Sequence, residues 1–172
     1  MKPTPDQYPE YYGTYISKVE QDDFLKALKK GSKRTMKFLK QLTAEEWKFK
    51  YAEGKWTPKE ILVHMMDSER VFVYRALRFA RKDATELPGY DHDAYVPQSG
   101  ASQRSVKSLL KEYKNLRRDT LCFFENLEES SLDLSGKANG NSITVRSLGF
   151  IVAGHEIHHL GVIKEKYLVS KK

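Results

Sequence analysis

Five consecutive residues, His155-Glu156-Ile157-His158-His159, spell the H-E-x-x-H pattern in which two helical imidazoles bind zinc and the glutamate activates water. At about 100° per residue, His155 and His159 lie one turn apart and about 40° from each other around a helix. Leu148, Ile151, Val152, Val162 and Ile163 share that face, so both imidazoles point toward an apolar interior. Buried imidazoles need partners for their ring nitrogens, and a divalent cation supplies one to both. A peptidase needs more than this: a third ligand downstream and a cleft edged by a strand. Only thirteen residues follow His159, none of them a histidine, and Glu165 lies about 120° around the same helix. The motif reads better as H-x-x-x-H, completed by a ligand from upstream.

His64 is that ligand's best candidate. Its helical face carries Glu60, Asp67, Ser68, Val71, Arg75 and Arg78, while Leu62, Met66, Val73 and Leu77 lie opposite. Such a helix stands between a core and a cavity, and facing helices ~8–10 Å apart let side chains from both share one ion. Three neutral imidazoles leave a coordination position open, which is the catalytic type of site. His92 and His158 are further options. Glu156 is a candidate general base, with an exposed glutamate as the plain alternative. Asp67 is a candidate to orient an imidazole or activate water, with a helix salt bridge as its alternative. Arg75 and Arg78 suit an anionic substrate or an ion pair across a bundle. Cys122 reads as a core residue.

Four helical patterns must position these residues. They run from about Val19 to Leu42, from Thr57 to about Lys82, from about Ser102 to Leu127, and from Thr144 to about Leu168. The second has the clearest start: Thr57 as N-cap, Pro58 at the first helical position and Glu60 closing a capping box. Between the second and third patterns lie some twenty residues, including "ELPGYDHDAYVPQSG", far more than an antiparallel turn requires. That length predicts a crossover, and with it an all-α four-helix bundle of up-down-down-up order. Tyr90 and Tyr95 of the crossover are candidates to line a cavity mouth. The aromatic segment "YPEYYGTYI" is expected to pack on the body. No strand alternation is evident, and 172 residues without an internal repeat predict one domain, 1–172.

Composition narrows the classes. No apolar run approaches the ~18 residues of a membrane span, and the start "MKPTPDQYPE" has no signal-peptide h-region. One cysteine fits a reducing cytoplasm. The net charge of +7 resides largely in "LKALKKGSKRTMKFLK" and "KSLLKEYKNLRR", where it reads as the solvated face of amphipathic helices rather than a nucleic-acid surface. The alternative to an enzyme is a metal-stabilised, non-catalytic binding module for an acidic partner or nucleic acid.

Taken together, "KWTPKEILVHMMDSERVFVYRALRFAR", "LPGYDHDAYV" and "TVRSLGFIVAGHEIHHLGVIKEKYL" resemble the DinB/YfiT-like superfamily of metalloenzymes over nearly the whole chain. The helix-two histidine followed by D-x-E-R, combined with the terminal H-x-x-x-H, carries the resemblance. It implies a four-helix bundle holding zinc or nickel on three histidines, which fall on His64, His155 and His159. It further implies S-transfer from a low-molecular-weight thiol or metal-dependent hydrolysis of a small substrate, and a homodimer.

Overall fold

The computed structural model describes residues 1–168. Among these residues six α-helices form: α1 (Gly13–Ile16), α2 (Phe24–Leu39), α3 (Pro58–Ala80), α4 (His92–Gln98), α5 (Val106–Glu125) and α6 (Val145–Lys166). The long four, α2, α3, α5 and α6, make the bundle. Each starts at a polar cap that satisfies otherwise unpaired backbone N–H groups. Asp23 accepts from the Leu25 amide, Ser105 from that of Ser108 and Thr144 from that of Ser147. Thr57 and Glu60 form the expected capping box on α3. The first helix is shorter than expected at both ends, because Asp23 rather than a residue near Val19 sets its start.

Side-chain pairs fix the order. Phe24, at the start of α2, meets Phe124, at the end of α5, so these two helices are antiparallel. Lys59 Nζ donates to the carbonyls of Ser102 and Arg104, and Arg70 pairs with Glu112, so α3 and α5 run parallel. The start of α3 and the end of α6 share one apolar cluster, which makes those two antiparallel. The result is up-down-down-up, with α2 and α3 each flanked by α5 and α6.

Two apolar clusters fill the bundle. One gathers Phe24, Phe72, Phe79, Phe124 and Phe150, and the other Leu39, Leu62, Met66, Leu109 and Ile163. Along the helices, buried Glu69, Arg117 and Glu156 fall between them.

One element was not expected. Residues Ser135–Ala138 (β1) and Asn141–Thr144 (β2) form an antiparallel hairpin in the register Ser135↔Thr144 to Ala138↔Asn141. Asn139 and Gly140 turn it at φ 52° and 75°, the conformation that favours Asn-Gly in two-residue hairpins. Strands of four residues are too short for alternation to stand out, and the Asn-Gly turn was the only signal. Leu87, at the start of the crossover, bonds to Lys137 and Asn139, so the hairpin ties the crossover to the bundle. A Cβ on Gly136 would stand 2.1 Å from the Phe79 ring, so only glycine allows the hairpin this close to α3.

Candidate metal centre

His64 projects from the second turn of α3 and His155 and His159 from mid-α6. Their Nε2 atoms converge: His155 lies 3.1 Å from His64 and 3.0 Å from His159. One ligand atom from each residue falls within 4.8 Å of the others. A neutral Nε2 carries either one proton or one lone pair, so His155 cannot satisfy two such neighbours by hydrogen bonding. A cation between them satisfies all three. Nitrogens on a tetrahedral ion with ~2.1 Å bonds lie ~3.4 Å apart, close to the separations seen. The donor set therefore fits a divalent metal.

Burial is the first cause that holds these rings neutral. It lowers His64 to about 4, with nearby His92 adding to the effect. His155 is pushed well below the usual histidine range by burial and then by His159. His159 falls to about 2 through burial and then His64. Neutral imidazole is the ligating form, so desolvation prepares the site. Aromatic rings fix the orientation. Trp56 packs 4.8 Å from His64, and Tyr15 presents its edge to His155 at 5.2 Å.

Two of the three, His64 and His155, open on a cleft of about 270 Å³ whose lining also includes Tyr11, Tyr12, Tyr15, Ser68, Phe72, Arg75, Tyr90, His92 and Asn139. Tyr90 donates to Ser68 Oγ at 3.1 Å. The N-terminal segment contributes three of these tyrosines, which sequence reasoning expected to pack but did not assign to a site.

The other sequence candidates divide. His92 stands at the cleft with its ring 5.4 Å from His64, outside the converging set. His158 stacks edge-on to Tyr15 instead. Glu156 is buried and points away: Tyr113 donates to its Oε1 at 2.5 Å and Arg117 to its Oε2. A base role has no free oxygen there, and the alternative of an exposed glutamate also fails. Asp67 lies outside the cleft lining and accepts from Arg70 one turn on at 3.1 Å, the plain salt-bridge alternative. Burial raises its pKa, with Arg70 opposing. Tyr95 is 48% exposed and flanks Tyr90 without reaching the cleft. Arg78 pairs locally with Asp83 and Tyr74 rather than across the bundle. Cys122 is exposed, not core, and Leu77 faces solvent. Arg117, assigned to a solvated face by its basic neighbourhood, is 2% exposed.

Known proteins share this architecture. Residues 27–163 match the profile of the DinB superfamily. A protein of Oceanobacillus iheyensis, named provisionally as a metal-dependent hydrolase, is 28% identical over 145 residues, 83% of this chain and 82% of its own. The solved structure of YfiT from Bacillus subtilis superposes with a TM-score of 0.66 at 18% identity, covering 96% of this chain and 90% of that one. It is described as a probable metal-dependent hydrolase with an unusual four-helix bundle topology. The DinB-like protein YjoA of Bacillus subtilis gives 0.59 at 20% identity over 83% and 87%. At these identities the two structures show a common fold.

Proposed function

The chain belongs to the DinB superfamily, and from that premise we propose a divalent-metal-dependent hydrolase of small molecules, with His64, His155 and His159 as the metal ligands. The observation that carries the reading is three converging histidine ligand atoms, two of them on buried residues that line a cleft large enough for a small molecule. Zinc or nickel suits an all-imidazole set. Such an ion supplies Lewis acidity, lowering the pKa of the water or thiol it holds toward neutrality. The chain's own residues do the rest. His64, His155 and His159 present lone pairs without first losing protons, because burial has already removed them. Trp56, Tyr15 and Phe72 screen the rings from bulk water. Tyr12, Tyr90 and Arg75 face the space a substrate would occupy.

Thiol S-transfer is the second reading, and one observation favours it. Among the described residues, no carboxylate lines the cleft. Hydrolysis gains from a protein base beside the attacking water, whereas a thiol ionised by a metal attacks without one. A homodimer completes the proposal; Tyr74 and Leu77, exposed on α3, offer an apolar patch for it.

Elemental analysis of the purified protein tests the site: about one zinc or nickel per wild-type chain and a loss of most of it in His64→Ala. Unchanged metal in the variant overturns the assignment. Incubating the metal-loaded protein with a haloaromatic or epoxide, with and without a low-molecular-weight thiol, separates the two chemistries. Turnover indifferent to the thiol favours hydrolysis, and turnover that requires it favours transfer.

A further inference from the structure

Arg75 is 5% exposed and lines the cleft, yet no carboxylate lies within ion-pair distance of it among the described residues. Its Nη2 donates to the Pro88 carbonyl at 3.1 Å, and its guanidinium also meets the Tyr12 hydroxyl in the cleft wall. A guanidinium has five N–H donors, so these two neutral oxygens leave donors to spare and the positive charge unmatched. Every other deeply buried charge nearby is matched: Arg117 sits between Glu69 and Glu156. A buried cation without a counter-ion is costly, and the cost is relieved when a bound anion supplies the missing charge.

His64, Ser68, Phe72 and Arg75 follow one another at spacings of four, four and three residues, which keeps them on one face of α3. Eleven residues at ~1.5 Å rise set the His64 and Arg75 backbones ~16 Å apart along the axis. Both side chains reach the same cleft, between walls made by Tyr12, Tyr15 and Tyr90.

We infer that Arg75 is the anchor for a substrate carboxylate, so that the cleft takes an elongated molecule with its reacting group at the histidines and its carboxylate at the far end. This rests on the cleft being the substrate site of the proposed enzyme. One guanidinium, with no lysine in the cleft lining among the described residues, matches a singly charged, planar carboxylate better than a phosphate, which carries more charge and draws on more donors. The tyrosine walls suit an apolar or aromatic body between the two ends.

The test uses chelator-treated protein, so that no metal competes for the carboxylate, and measures binding of 3-phenylpropionate and its uncharged amide, 3-phenylpropanamide, by calorimetry. The wild type is expected to prefer the acid by on the order of tenfold or more. Arg75→Gln removes the preference and Arg75→Lys keeps part of it. Equal affinities in the wild type, no binding of the acid, or a preference that survives in Arg75→Gln overturns the anchor. The wild-type comparison stands even if a variant folds poorly. Because metal content is measured separately, a protein that binds the acid but no metal retires the enzyme reading and leaves the anchor standing.

Discussion

Arg117 donates to Glu69 of α3, to Glu156 of α6 and to the Leu28 carbonyl of α2, so one side chain on α5 is bonded to all three other long helices. Its bidentate pairing with Glu69, at 2.9 Å for both bonds, is the strongest geometry available to a guanidinium. Removing it leaves two buried carboxylates without a counter-charge. Arg117→Met is therefore expected to cost about 3–5 kcal/mol, lowering the melting temperature on the order of 10 °C, as thermal circular dichroism will read. A shift of only a degree or two refutes the role. Hydrophobic periodicity cannot see such a residue. The buried stripe of α5 is Leu109, Tyr113, Arg117, Thr120 and Phe124. A reading that counts only apolar side chains slides to Leu116 and Leu121 and sends Arg117 outward. Glu156 was misassigned for the same reason, since nothing local announces a partner 39 residues away. The three histidines were legible because their spacing on two apolar-faced helices is itself the signal.

At the level of elements, the crossover length carried the bundle order, and capping residues carried the helix starts. The docking of the N-terminal segment was anticipated, but its seat was not. A Cβ on Gly154 would fall 2.1 Å from the Tyr15 carbonyl oxygen, so the backbone of α1 lies directly on α6 at this glycine. Backbone cannot swing aside as a side chain can. Gly154→Ala is expected to lift α1 from its seat at a cost of about 1–3 kcal/mol. Amide exchange should speed up selectively in residues 13–16; exchange there matching the wild type would show the contact to be looser than its geometry implies. Sequence alone offers only a glycine inside a helix, with no indication of what approaches it. The hairpin escaped for a related reason, because its stability comes from Leu87 and Phe79, both distant in sequence.

For the whole molecule, the neutral histidine cluster links stability to acidity. In metal-free protein, folded His64 titrates at about 4 and His159 at about 2, both below the ~6.5 of an unfolded histidine. Below pH ~6.5 the unfolded chain binds more protons than the folded one, so stability is complete above that point and falls as pH drops toward 4. The melting temperature of chelator-treated protein should fall on the order of 5 °C between pH 7.5 and 5, and the fall should shrink in His64→Gln. A flat profile would mean that the rings are not held neutral by the fold. The division of labour within the chain has a further consequence. The imidazoles stand on α3 and α6, whereas Tyr11, Tyr12 and Tyr15 precede the bundle, Tyr90 and His92 sit in the crossover, and Asn139 turns the hairpin. The three histidines and these six lining residues thus lie on separate stretches of polypeptide, whereas Ser68, Phe72 and Arg75 share α3 with His64. Mutation or recombination confined to those three pieces would reshape one wall of the cleft while the histidines and the Arg75 face of α3 pass unaltered to the descendant.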